Sequence, residues 1–226
     1  MFPEIVRFCE GFYNDVEPYL PLIFDGELVY LTNDFQSNFS VVQKRGKMRN
    51  AENIEANAEL FPCHYIVFDL LEFEGKLNIN GILNTRKQLL AKLFKILDLP
   101  NRVDCKDAKR LQAIAVFKDS ALLWQNVKTY NGEGIIAKKR QSKWIEATRS
   151  KNWLKIKNWK YVNVILTKFD KSNGFFGAAI FKDDTLVEVV TFKHGLKEEE
   201  KKTLITLFDK YGTLLNGEVW ELPASI

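Results

Sequence analysis

Apolar side chains recur at helical spacing over residues 4–19, at Ile5, Phe8, Cys9, Phe12 and Val16. This predicts an amphipathic helix, closed by Pro18 and Pro21. Residues 22–31 (LIFDGELVYL) are rich in branched and aromatic side chains and read as a strand. Residues 50–60 read as a polar helix. Residues 64–73 (HYIVFDLLEF) form a second strand, ended by a turn at Glu74-Gly75. Residues 84–97 carry an amphipathic period, with Asn84 or Thr85 as cap. A further helix spans 119–130 and stops near Asn131-Gly132, and strands follow at 133–139 and 153–158. Strands and helices do not alternate regularly, so the prediction is an α+β domain with mainly antiparallel sheets.

From about residue 161 the pattern changes. Strands are predicted at 161–169, 176–182 and 186–193, with turns at Ser172-Asn173-Gly174 and Asp183-Asp184. A helix at 197–211 and a last strand near 217–221 complete a small β-barrel with one helix, of the OB type. The expected domains are therefore 1–159 and 160–226.

Composition narrows the class. The 226 residues are 46% hydrophobic and 13% aromatic, enough to bury a core rather than stay disordered. No apolar run is long enough for a bilayer, and Met1-Phe2-Pro3-Glu4 opens no secretory signal. Cys9, Cys63 and Cys105 fit neither zinc spacing nor a disulfide framework, so a reduced, cytoplasmic protein is expected. The net charge of +4 permits a nucleic-acid partner without demanding one. The charge is uneven. Segment 137–160 (AKKRQSKWIEATRSKNWLKIKNWK) is densely basic and holds three tryptophans, which suits a phosphate-lined groove better than a solvated face.

Four short segments carry candidate chemistry. In Asp25-Gly26-Glu27 the two acids stand two apart in an apolar strand and share a face. Buried unpaired they would be costly, so they border a cavity, a metal or a turn; an Asp-Gly hairpin turn explains the tripeptide taken alone. In EGIIAKK (133–139) a straight strand puts Glu133 and Lys138 on opposite faces and Lys139 on the face of Glu133. In WLKIK (153–157) Lys155 and Lys157 share one face and repel, a strain that a bound phosphate would relieve. Phe68 lies in a strand that otherwise reads as core. Each segment alone also fits an ordinary strand. His64 and His194 have no partner at ligand spacing and read as structural. Arg86 and Lys87, at a helix start, read as solvated surface.

The order DGEL, YIVFDLL, EGIIAKK, WLKIKN, with FPEI, VVQKRGK and RSKNW, resembles the covalent nucleotidyltransferases and, among them, the ATP-dependent DNA ligases. It is most similar to the ligase domain of bacterial ligase-polymerase enzymes of end joining. The resemblance implies an adenylation domain over 1–159 and an OB-fold domain over 160–226. The implied cofactors are ATP and Mg²⁺. The implied chemistry seals nicked or broken duplex DNA through an AMP-DNA intermediate, in repair and recombination. It implies that Glu27 holds the ribose or helps the metal, that Phe68 stacks on adenine and that Glu133 binds Mg²⁺. Lys155 and Lys157 meet the α-phosphate as the catalytic cations. Arg149 is a weaker phosphate or DNA contact, and Arg45 weaker still.

The sequence also departs from that pattern. The family's nucleophile sits in a K-x-D-G motif ahead of DGE, and residues 1–24 contain no lysine. The early strands of the sheet, the last barrel strands and the final basic motif are likewise not visible, so both domains are expected to be incomplete. Open sheet edges and an uncovered apolar face should result. A companion fragment carrying the lysine motif, or a polymerase domain, is then the expected partner beside DNA, with no membrane. The competing readings are an RNA ligase or capping-type nucleotidyltransferase and a catalytically inactive DNA-binding remnant.

Overall fold

The N-terminal apolar period folds as α1 (Pro3–Gly11) and α2 (Tyr13–Val16), then a 3₁₀ turn at Glu17–Tyr19. Next come β1 (Ile23–Val29), β2 (Leu31–Asn33), β3 (Gln36–Ser37), α3 (Phe39–Gly46) and α4 (Ala51–Leu60). β4 (His64–Phe73), β5 (Lys76–Leu77), α5 (Leu83–Ile96) and β6 (Leu111–Ala113) form the central part. α6 (Ser120–Thr129), β7 (Gly134–Lys138) and β8 (Trp153–Lys157) follow. The second part holds β9 (Ile165–Asp170), β10 (Phe175–Lys182), β11 (Thr185–Phe192), α7 (Glu198–Tyr211), β12 (Thr213–Asn216) and β13 (Val219–Glu221). The computed structural model describes residues 1–223. Contacts divide the chain into two compact units, Met1–Trp159 and Lys160–Ile226.

In the first unit β4 is the central strand. It pairs antiparallel with β1 and β5 and parallel with β6. α5 lays Leu90, Leu93 and Phe94 on this sheet against Val67, Leu70, Leu111 and Ala113, and Phe8, Phe12 and Phe24 close the cluster. β7 and β8 form a separate two-stranded ribbon. Asn50 and Asp119 cap α4 and α6 with their side-chain oxygens. α5 has no such cap: its first two amides donate to the Ser142 and Arg140 carbonyls, 2.8 and 2.9 Å away. The helix therefore starts at Leu83, before the expected Asn84 or Thr85 cap, because a distant loop takes over the capping. Sequence reading omits β2, β3, α3, β5, β6 and β12. The strands among them are at most four residues long and too short to show a period.

The second unit is one antiparallel sheet in the order β11-β10-β9-β13-β12. Phe169, Phe176, Phe208 and Leu222 form its core, with the Phe169 and Phe176 rings stacked 4.5 Å apart. Phe208 comes from α7, whose first turn holds Glu198, Glu199 and Glu200 near the positive end of the helix dipole. Among the described residues no pairing joins β11 to β12, so the sheet is open and not a closed barrel. Strand closure would need hydrogen-bonded partners at both edges, and these strands do not supply them. No helix among the described residues is long and apolar enough to cross a membrane.

Candidate functional site

A bulge in β4 builds the floor of the site. Val67 pairs with Gly26 and Asp69 with Asp25, so Phe68 is the extra residue. Val67 and Leu70 consequently both pack into the α5 core, although three positions apart. Phe68 and Asp69 are left together on the opposite face. Asp25 and Glu27 share that face through their pairing with Asp69 and Ile66. Gly26 between them is required, since a Cβ there would lie 2.7 Å from the Ile66 carbonyl oxygen.

One acid and one base, Asp69 and Arg86, make the buried part. Arg86 donates through Nε and Nη2 to the two oxygens of Asp69, both at 2.8 Å, and through Nη1 to the Gly81 carbonyl at 2.6 Å. The Leu70 amide also donates to Asp69. Both side chains are about 1% exposed or less. Arg86 is thus a buried bidentate partner and Lys87 is half-buried, which corrects the solvated reading of both. The helix is turned so that its first turn, not only its apolar stripe, meets β4. Trp144 Nε1 lies 3.4 Å from Asp25 Oδ2.

The ribbon closes over this floor. Lys138 reaches from the end of β7 and sets its ammonium 3.5 Å from the Trp153 ring centre and 4.7 Å from that of Phe68. Burial, together with the charge of Lys87, pushes the Lys138 pKa down to about 8. Burial lowers that of Lys87 as well. Neither lysine has an ion-pair partner of its own among the described residues.

Glu133 and Lys155 meet at 2.7 Å in an exposed pair. This overturns the straight-strand expectation. Lys155 pairs with Ile136 and so lies on the Lys138 face, and Glu133 reaches the same face. The cause is Gly134, whose φ of +151° breaks the strand, and a Cβ there would sit 2.1 Å from the Ile156 carbonyl oxygen. Lys139 is exposed beyond the strand end. Lys155 and Lys157 do share a face, but each is offset within the chain. Lys155 has Glu133, and Lys157 lies over the Trp159 ring at 4.9 Å.

The other candidates separate. Glu27 is exposed and has no hydrogen-bond or ion-pair partner among the described residues. Arg149 lies in the exposed loop between β7 and β8, with no hydrogen-bond or ion-pair partner among the described residues. Arg45 is buried. It donates to Glu4 Oε2 at 3.0 Å and to the Phe61 carbonyl at 2.7 Å, and it stacks over Phe2, so its reading as a phosphate contact is corrected. The charge holds α1 to α3 instead. His64 is buried, with Nε2 near the Asp107 carbonyl and Arg110, in a structural role. Sequence reasoning missed Asp69, Arg86, Lys87, Lys138, Trp144 and Trp153. The FD pair inside an apolar strand was the available signal, but only the bulge makes both residues face the site.

The outer face of the ribbon is apolar. Ile135, Ala137, Leu154 and Ile156 share it, with Leu154 55% and Ile156 43% exposed. Among the described residues one group of three metal-type ligands occurs, Asp34, Asp104 and Cys105, none of them on β7 or β8. Neither Glu27 nor Glu133 belongs to that group.

A pH effect follows from Lys138. Its folded pKa is about 8 against 10.5 for an ordinary lysine, so the folded state resists protonation that the unfolded chain accepts. The penalty is complete below about pH 8 and disappears as pH rises toward 10.5. This group should therefore make the first unit more stable between those values. Urea titrations across that range should show the rise in the natural protein and a flatter profile in K138M.

A family model described as "ATP dependent DNA ligase domain" matches residues 1–157. The bifunctional non-homologous end joining protein LigD of Bacillus subtilis (strain 168) is 35% identical over 226 residues, covering 100% of this chain and 37% of that protein. The SPbeta prophage-derived DNA ligase-like protein LigB of the same organism is 29% identical over 153 residues, 67% of this chain and 49% of the relative. The chain thus spans between about a third and a half of these two relatives. The solved structure of mycobacterial DNA ligase D complexed with ATP and MES superposes with a TM-score of 0.54 at 20% identity, covering 98% of this chain and 68% of that one.

Proposed function

The chain belongs to the family of ATP-dependent DNA ligase domains, and on that premise we propose that it supplies the nucleotide and phosphate site of a ligase that seals nicked or broken duplex DNA in repair and recombination. The supporting observation is the convergence of three distant segments. Phe68 from β4, Lys138 from β7 and Trp153 from β8 touch, with the Glu133–Lys155 pair on the same ribbon face.

In this reading 1–159 is the adenylation domain and 160–226 a partial OB-type domain whose sheet is open. Phe68 offers its free ring face to adenine of ATP, a contact that excludes water from the base. Glu27, exposed and unpaired, accepts from the ribose hydroxyls. Lys155 and Lys157 face the α-phosphate. An ammonium has three donors, so Lys155 can keep Glu133 and still hold a phosphate oxygen. These fixed charges oppose the negative charge that develops on phosphorus-bound oxygens. Arg149 extends the cationic surface toward the DNA backbone.

Mg²⁺ fits this face in one way. Mg²⁺ usually keeps several waters and takes one or two carboxylates plus substrate phosphates. Glu133, with Glu27 as the second acid, supplies that much and no closed cage. When bound, the ion would add Lewis-acid neutralisation of the phosphates.

The 226 residues contain no K-x-D-G sequence. In this reading a companion segment supplies the nucleophilic amine, and a polymerase domain would be a further partner. We place the protein in the cytoplasm. With labelled ATP and Mg²⁺, the chain alone should form no stable protein-AMP adduct. Adding a family fragment that carries K-x-D-G should give an adduct and nick sealing. An adduct on the chain alone would refute the lysine assignment, and no sealing with the fragment would refute the ligase reading. A second reading, a DNA-binding chain without chemistry, draws on the basic, tryptophan-bearing segment 137–160. It predicts salt-dependent nicked-duplex binding and no sealing under any complementation.

A further inference from the structure

The WLKIKN run ends on Asn158, a side chain that the proposed nucleotide contacts leave unused. It directly follows β8 and is half-buried. Its side-chain amide donates to the Gly132 carbonyl at 3.0 Å, and its backbone N–H donates to the Glu133 carbonyl at 2.8 Å. These carbonyls belong to the two peptide groups that flank the Glu133 Cα. Peptide groups are planar, so holding both planes fixes the only two soft backbone angles of Glu133.

Glu133 needs such a hold because it stands between two glycines, Gly132 and Gly134, and glycine has the most backbone freedom to lose. Neither position tolerates a stiffer residue. A Cβ at Gly132 would lie 2.7 Å from the Phe35 carbonyl oxygen, and one at Gly134 would lie 2.1 Å from that of Ile156. Upstream the chain is braced by other means. The Phe35 ring stacks on Tyr130 at 5.4 Å, Asn33 donates to the Tyr130 carbonyl at 3.2 Å, and the Gly132 N–H returns to the Val127 carbonyl at 2.8 Å. From there to β7 the peptide groups around Glu133 are held by Asn158.

We propose that Asn158 is a positioning residue, whose side-chain amide fixes the Glu133 backbone so that the carboxylate meets Lys155. Asn158 and Lys155 stand three positions apart, so one short stretch of chain holds Glu133 by its backbone and by its side chain, the latter at 2.7 Å. The consequence for metal rests on the ligase reading of this face. There Glu133 is the Mg²⁺ carboxylate, and a carboxylate already held in place binds the ion without first losing the freedom of two glycines.

The test is zero-length cross-linking of the whole chain by a water-soluble carbodiimide, without metal. The reagent activates the Glu133 carboxylate, the Lys155 amine displaces the activated oxygen, and an amide forms with release of a urea. The yield, read by peptide mass spectrometry, reports how often the two groups meet. N158A and N158L should lower it about threefold to tenfold, the effect of one lost hydrogen bond. N158L keeps the volume and removes the donor, whereas N158Q keeps the donor and should retain a larger yield than N158L. The Lys168–Glu188 pair of the second unit, at 2.9 Å, serves as the internal control and should not change. Equal yields in N158L and N158Q, or a lowered unfolding midpoint in N158A with the cross-link intact, would overturn the positioning role. In the ligase reconstituted with a K-x-D-G fragment, N158L should raise the Mg²⁺ concentration for half-maximal sealing by a similar factor. If the cross-link falls as expected and that concentration stays put, the positioning role stands and the Mg²⁺ role of Glu133 falls. If E133Q loses sealing while N158L cross-links like the natural chain, the ligase reading stands and the positioning role falls.

Discussion

Replacing Asp69 with alanine is expected to destabilise the first unit by about 3–5 kcal/mol, the typical cost of leaving one partner of a buried ion pair alone. Arg86 would keep its bond to the Gly81 carbonyl but would lose two bonds of 2.8 Å inside a site with about 1% exposure. The Leu70 amide would lose its acceptor as well. Urea unfolding, monitored through tryptophan fluorescence, measures the change. The double variant D69L/R86L should recover much of the loss, because removing both charges removes the desolvation cost along with the attraction. Equal destabilisation by the single and double variants would show that packing at the β4 bulge, not the charge pair, carries the stability.

Lys155 should behave in the opposite way. Its pair with Glu133 is 2.7 Å long, but the side chains are 49% and 74% exposed. Solvent screens such a pair, and its contribution to stability should be within about 1 kcal/mol. K155A should leave the unfolding midpoint almost unchanged. In the ligase reconstituted with a K-x-D-G fragment, however, it should lower nick sealing by about 10²–10³-fold, as expected when one positioned charge is removed from a developing oxyanion. E133Q should also keep the fold and lose sealing. Retained sealing in K155A would remove Lys155 from the phosphate site.

The two predictions separate stability from chemistry in one small region. The buried pair fixes the β4 bulge, and the bulge turns Phe68 toward the ribbon. The exposed pair sits where a charged ligand can reach it. Gly134 links them, since only a residue without a Cβ lets β7 break in time for Glu133 to reach Lys155.

Much of this was legible in the sequence. The sequence places β4 over the residues it occupies, because Tyr65, Ile66, Val67, Phe68 and Phe73 concentrate strand-forming side chains ahead of a Glu74-Gly75 turn. The shared face of Asp25 and Glu27 and that of Lys155 and Lys157 followed from the two-residue repeat of a strand. The motif order was enough to name the family, since motif order is a property of the chain itself. Tertiary structure decided what that repeat cannot express. A bulge adds one residue to β4 and puts Phe68 and Asp69 on one face. A glycine at φ +151° carries Glu133 to the side that a straight strand denies it. Arg86 and Arg45 became buried because each found a carboxylate far along the chain, Asp69 and Glu4, and sequence spacing holds no record of such a meeting. The open sheet of the second unit has the same origin: barrel closure depends on edge partners, and strand propensity describes one strand at a time.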